Sequence, residues 1–190
     1  MNDSMIEIVA VVTGVVYALL AVRRNRWAWA FGAVSSLCLV WLAAGARLPL
    51  QAVLQGLYVV MAGYGFWHWT QGAGPSTPVR IIRWSLRSHA LVLGLVAAAT
   101  LALAPLLAAH TAAASPWLDA LVTGLSLLAT FMTARAVLEN WIYWLVVDAV
   151  SLVLYGSQGL KFVALLYAIY FVIALVGLSQ WWRQYRSATT

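Results

Sequence analysis

The chain has 190 residues, 64% of them hydrophobic and only 8% charged, with a net charge of +6 and a mean hydropathy of +0.89. Soluble domains carry about 25% charged and about 45–50% apolar residues, so this composition excludes a soluble enzyme, a nucleic-acid module and a disordered tail. It describes an all-α integral membrane protein, in which surplus basic residues mark cytoplasmic loops rather than a nucleic-acid partner.

A helix crosses the hydrocarbon core, about 30 Å thick, with roughly 20 mostly apolar residues. The first such run, 5–22, follows Asp3 and precedes Arg23, Arg24 and Arg26. A cleaved signal peptide starts basic, so this run is expected to stay as a permanent helix. The second run covers 27–44 and the third 50–69. On the third, Gln51, Gln55, Tyr58 and Trp69 fall within about 60° of one another, and the small Ala62 leaves room on the same stripe. Amides and a phenol supply donors and acceptors suited to ribose hydroxyls or a carboxamide.

Residues 70–87 form a polar loop with GAGPSTP and then Arg80, Arg83 and Arg87; the fourth run is 88–109 and the fifth 117–134. The sixth, 141–157, presents Trp141, Trp144, Asp148, Ser151 and Tyr155 within about 80° on one face, and Val146, Ala149, Val150 and Leu154 on the other. Of the five acidic residues, Asp148 alone lies well inside a run. A carboxylate there costs roughly 2.5–3.5 kcal/mol on insertion scales unless it faces a cavity or a partner. The seventh run, 162–182, follows Lys161, the only lysine. A buried retinal-type lysine is therefore missing.

Seven continuously apolar runs argue against a β-barrel, whose strands alternate. Nine basic residues fall on one side and two, Arg47 and Lys161, on the other. Positive loops stay cytoplasmic, which predicts the N-terminus outside and the C-terminus inside. Trp27, Trp67, Trp69, Trp117, Trp141, Trp181 and Trp182 sit near span ends and read as an aromatic belt. No phosphate-binding GxxxxGK[ST] occurs, and His68, His89 and His110 sit near different helix ends without a metal-ligand pattern. No catalytic triad assembles at one depth, and no cofactor is implied. Cys38, the single cysteine, forms no internal disulfide.

A shift of 114 residues superposes Trp27 on Trp141, Gly45 on Gly159, Arg47 on Lys161, Gly63 on Gly177 and Trp67 on Trp181. Nearer the N-terminus a shift of 110 places Val12-Thr13-Gly14 on Val122-Thr123-Gly124. This predicts two three-helix repeats, 1–69 and 117–182, joined by the linker helix 88–109. Because the linker helix restores direction, the repeats run parallel, about an axis along the membrane normal, with the site between them. In that register Gln51 and Gln55 meet Leu165 and Ile169, and Asp148 meets Val34. The polar residues are thus not copied, as an asymmetric ligand between similar halves requires.

The run from Arg23 to Gly32 (RRNRWAWAFG), the run from Tyr64 to Trp69 (YGFWHW) and the run from Glu139 to Asp148 (ENWIYWLVVD) together resemble the PnuC family of bacterial vitamin transporters. LLYAI from Leu165 and GLSQW from Gly177 fit too, so the resemblance covers nearly the whole chain. Ala30 stands where the family pattern has proline. The resemblance implies the 3+1+3 helix plan shared with SWEET sugar transporters, residence in the bacterial inner membrane, and a homotrimer. The W-x-x-W pair Trp141 and Trp144 resembles the nicotinamide riboside branch, which implies substrate contacts at Trp141, Trp144, Asn140, Asp148 and Tyr155 with Gln51, Gln55 and Tyr58 on the third helix. A pyridinium ring over tryptophan gains roughly 0.5–2 kcal/mol. Thiamine is also an aromatic cation, so a thiamine carrier stays an alternative, as does a receptor that binds without translocating. The family is expected to work by facilitated diffusion, with the ligand trapped by a cytosolic kinase.

Overall fold

The computed structural model describes residues 3–46, 49–71, 78–110 and 115–188. Arg47, residues 72–77 of the GAGPSTP stretch and the side chain of His110 lie outside the described residues. Seven α-helices run through them: α1 (Asp3–Val22), α2 (Trp27–Gly45), α3 (Pro49–Gln71), α4 (Leu86–His110), α5 (Pro116–Ala134), α6 (Asn140–Ser157) and α7 (Lys161–Ser187). Every expected run is a helix. α7 continues past 182, because Arg183 and Arg186 end an apolar run without ending a helix.

Five helices, α1, α2, α4, α5 and α7, are long and apolar enough to cross a membrane. α3 and α6, with 23 and 18 residues, are the two more polar ones. They are the helices that carry Gln51, Gln55, Asn140 and Asp148.

Local sequence sets the helix ends. Pro116 opens α5, where its missing N–H is one the helix could not have used. α1 closes when the N–H of Asn25 reaches the Leu20 carbonyl (3.0 Å) and that of Arg24 reaches Ala21 (2.9 Å). α5 closes identically, Val137 to Met132 and Ala136 to Thr133, both 2.9 Å. Such closure needs a left-handed residue, here Arg24 and Ala136, each with φ 52°. α6 ends the same way at Gly159, φ 77°, where a glycine adopts that conformation without steric cost.

α2 packs against α1 and α3, and α6 packs against α5 and α7. Between these groups α1 lies on α7 and α3 on α5, while α4 packs on α5. The core holds Trp29, Trp69, Trp141 and Trp181, whose exposures are 1%, 2%, 4% and 0%. This corrects the aromatic-belt reading for Trp69, Trp141 and Trp181, which are core residues. Trp27, Trp67, Trp117 and Trp182 are exposed.

Structural features recur at an offset of 112 residues. Trp29 meets Trp69 edge-on at 5.4 Å and 84°, and Trp141 meets Trp181 at 5.4 Å and 88°. Gly65 lies under the Trp29 ring and Gly177 under the Trp141 ring. Trp69 Nε1 donates to the Ala134 carbonyl and Trp181 Nε1 to the Val22 carbonyl, both at 3.0 Å. The ends of α1 and α5, those of α2 and α6, and the left-handed Arg24 and Ala136 obey the same offset. The register of 114 is therefore wrong by two residues, and Trp29 rather than Trp27 is the structural counterpart of Trp141. At the new offset Gln51 and Gln55 meet Val163 and Tyr167, and Asp148 meets Ser36.

The segment 78–85 lies across the α5–α6 loop. Ile82 exchanges backbone hydrogen bonds with Ala136 (3.0 Å) and Leu138 (2.8 Å). Arg83 Nε donates to Glu139 Oε1 at 2.7 Å, the Trp84 N–H points to Glu139 Oε2 at 3.4 Å, and the Arg83 guanidinium lies over the Trp182 ring. The Glu139 carboxylate holds the Arg83 proton more firmly than usual. Arg24 reaches the Val79 carbonyl at 2.6 Å and ties the same segment to the α1–α2 loop.

Candidate functional site

α6 turns its aromatic and polar face inward. Trp141, Asp148 and Ser151 are buried, Trp144 and Tyr155 are half-buried, and Val146 and Val153 on the other side are exposed. An apolar stripe toward lipid and a polar one toward the bundle is the only arrangement that keeps Asp148 out of hydrocarbon. Asp148 forms no ion pair and no hydrogen bond among the described residues. It lies near the phenols of Tyr167 and Tyr170 on α7.

Tyr167 stacks on Tyr155 at 5.4 Å and 9°, and makes an edge contact with Tyr170 at 6.4 Å. α3 adds Tyr58, which lies near Tyr167, and α5 adds Ser126, whose hydroxyl donates to the Val122 carbonyl at 2.7 Å. The interior thus brings the Asp148 carboxyl near a set of phenols contributed by α3, α6 and α7.

Trp144 is held by a directed chain of hydrogen bonds. Its Nε1 donates to Thr133 Oγ1 at 3.2 Å, Thr133 Oγ1 lies 3.0 Å from Asn140 Oδ1, and Asn140 Nδ2 donates to the Val137 carbonyl at 2.6 Å. Asn140 is fully buried, so it orients Thr133 and Trp144 and is closed to a ligand. Trp141 is likewise packed, edge-on to Trp181 with Gly177 beneath its ring. On α3, Gln55, Ala62 and Trp69 are buried, while Gln51 is exposed near the start of the helix.

Of the expected site residues the structure gathers Asp148, Tyr155 and Tyr58 into the interior cluster and leaves Trp144 half-buried on the same helix face. Trp141 and Asn140 are buried beside it. Sequence reasoning missed Tyr167, Tyr170 and Ser126. The signal was present: at the offset of 112, Tyr58 falls on Tyr170.

Two outer depressions, of about 360 and 440 Å³, are lined by Ile142, Leu175, Leu178, Ser179 and Trp182, and by Ile6, Leu37, Cys38 and Trp41. Both are almost wholly apolar and face outward, where lipid would lie. Neither offers the donors a polar solute needs.

An apolar exterior around a polar, aromatic interior is that of a multi-pass membrane protein. Residues 4–183 match the family described as nicotinamide mononucleotide transporter. The riboflavin/roseoflavin transporter RibM of Streptomyces davaonensis is 30% identical over 185 residues, 95% of this chain and 85% of that one. The nicotinamide riboside transporter PnuC of Escherichia coli is 34% identical over a shorter stretch of 68 residues, 36% of this chain and 28% of that one. The crystal structure of the vitamin B3 transporter PnuC superposes with a TM-score of 0.79, covering 97% of this chain and 83% of that chain at 22% identity. The protein belongs to this family, the PnuC vitamin transporters, and is a multi-pass membrane transporter.

Proposed function

We propose that the protein carries nicotinamide riboside across the bacterial inner membrane by facilitated diffusion, with cytosolic phosphorylation retaining the ligand. The carrying observation is Asp148, buried, without an ion pair among the described residues, and near the phenols of Tyr167 and Tyr170. A cationic pyridinium supplies the missing counter-charge, and the half-buried Trp144 supplies a ring face for it. Phenols and amides serve the ribose hydroxyls and the carboxamide.

The helix pairings support a plan of two parallel triplets, α1–α3 and α5–α7, with α4 as linker. The packing of α1 on α7 repeats as α5 on α3, as a two-fold axis along the membrane normal requires. The site then lies between the triplets. The same reading places the N-terminus outside and the C-terminus in the cytoplasm. It includes a homotrimer in the lipid bilayer, checked by mass measurement of the detergent-solubilised protein.

A second reading, riboflavin transport, rests on the likeness to RibM over nearly the whole chain. A neutral flavin leaves Asp148 without a counter-charge. Competition binding of nicotinamide riboside, thiamine and riboflavin to the purified protein separates these substrates. The proposal expects nicotinamide riboside to bind tightest and thiamine next; a preference for riboflavin overturns it. Uptake into proteoliposomes without an ion gradient should equilibrate the ligand and stop. Binding without uptake would indicate a receptor, and accumulation driven by a proton gradient would make Asp148 a coupling residue.

A further inference from the structure

Tyr17 on α1 lies edge-on to Trp29, with ring centroids 5.6 Å apart. Its ring fills the space above Gly32, where an added Cβ would lie 3.0 Å from it. The ring is therefore fixed from two sides. At its far end the hydroxyl is buried, with no hydrogen-bond partner among the described residues. It lies near the phenols of Tyr58 and Tyr170, and Tyr170 lies near Asp148. A buried hydroxyl left unpaired is unfavourable, and one held rigidly in that state calls for a reason.

The offset of 112 residues supplies one. The indole nitrogens of Trp29 and Trp141 are also buried without partners, but they correspond to each other and belong to the repeated scaffold. Tyr17 has no such counterpart. Where α1 and α2 carry Tyr17 and Gly32, α5 and α6 carry Ala129 and Trp144. Large and small have changed places between the triplets. Each triplet therefore contributes one aromatic side chain from a different helix, a phenol from the first and an indole from the second.

We propose that Tyr17 is a substrate-binding, specificity-setting residue whose hydroxyl bonds to a polar group of the ligand, a ribose hydroxyl or carboxamide oxygen. This rests on the interior cluster being the substrate site, and it names the contribution of the first triplet to it. The substrate then supplies the partner that this hydroxyl does not find among the described residues.

The test is Tyr17→Phe, measured by thermal unfolding without ligand and by titration calorimetry with nicotinamide riboside, thiamine and riboflavin in turn. A hydroxyl that serves the fold lowers the melting temperature when removed; one reserved for a ligand leaves it unchanged or raises it. The expected result is an unchanged or higher melting temperature with about ten-fold weaker binding, in line with the loss of one hydrogen bond. Gly32→Ala, which presses on the ring without touching the hydroxyl, should weaken binding as well. Tyr64→Phe, whose ring stacks on His68 and Phe131, should change neither quantity. Unchanged affinity in Tyr17→Phe, or lost affinity together with a lower melting temperature, overturns the proposal. If the parent prefers riboflavin, the substrate reading fails while Tyr17 is still judged on the vitamin that binds.

Discussion

The indole N–H of Trp181 donates to the carbonyl oxygen of Val22, 159 positions earlier in the chain, at 3.0 Å. Trp69 does the same to Ala134 at 3.0 Å. Both acceptors are the last residues of helices, whose final carbonyls have no partner within their own helix. Trp181 thus caps α1 from α7, and Trp69 caps α5 from α3. Trp69 and Trp181 also touch, with centroids 6.4 Å apart, so the two caps share one aromatic cluster.

Trp181→Phe and Trp69→Phe should each destabilise the protein by about 1–3 kcal/mol, because each leaves a buried carbonyl unpaired. Since the rings are in contact, the double variant should differ from the sum of the two by about 0.5 kcal/mol or more. Unfolding in detergent, followed by loss of tryptophan signal, measures both. Strict additivity would show that the two caps act independently.

Gly177→Ala and Gly65→Ala should be damaging, since the new Cβ would sit 2.6 Å and 2.3 Å from the Trp141 and Trp29 rings. Overpacking of this kind costs roughly 1–3 kcal/mol. Gly63→Ala, with open space around it, should be neutral or stabilising by up to about 1 kcal/mol through helix propensity. The three variants decide between the two registers: 114 pairs Gly177 with Gly63, and 112 pairs it with Gly65. A harmful Gly63→Ala beside a harmless Gly65→Ala would reject the structural register.

Trp144→Ala should weaken substrate binding by about 1–3 kcal/mol, from lost cation–π and apolar contact. Trp144→Phe should lose less. Thr133→Val removes the acceptor that orients the indole and should lie between them, whereas Thr133→Ser restores the acceptor and should bind like the parent. Trp182→Phe, on the exposed surface, serves as the control. Calorimetric titration of folded variants provides the measurement, and parent-like affinity in Trp144→Ala would return this ring to packing alone.

With nine basic residues against two, a reporter fused to the C-terminus should be active only in its cytoplasmic form. Activity of a periplasmic reporter there would reverse the orientation and place the segment 78–85 on the outer face.

The helices were legible because apolar runs bounded by arginines and prolines leave little freedom in where a span begins. The inward face of α6 was legible because Asp148 and Ser151 share a helical stripe with Trp144. The repeat register was not. Residues 27–29 read WAW and 67–69 read WHW, so shifts of 114 and 112 both lay tryptophan on Trp141 and Trp181. Positions two apart on a helix point to nearly opposite sides. Only burial separates them: Trp27 and Trp67 are each 54% exposed, while Trp29 and Trp69 are enclosed. The hydrogen bonds of Asn140 to Thr133 and to the Val137 carbonyl were not legible either, because they depend on tertiary placement that spacing does not encode.

The left-handed turns at Arg24 and Ala136 and the two indole caps share one property: they engage the main chain. A joint that grips a backbone oxygen is blind to the side chain on the gripped residue, so valine serves at 22 and alanine at 134. Duplicated modules built this way drift freely at every receiving position and stay mechanically matched. Next to these joints, Thr133 and Asn140 stand where the other copy has Ala21 and Ala28. Side-chain chemistry thus differs between the copies while the main-chain joints stay the same.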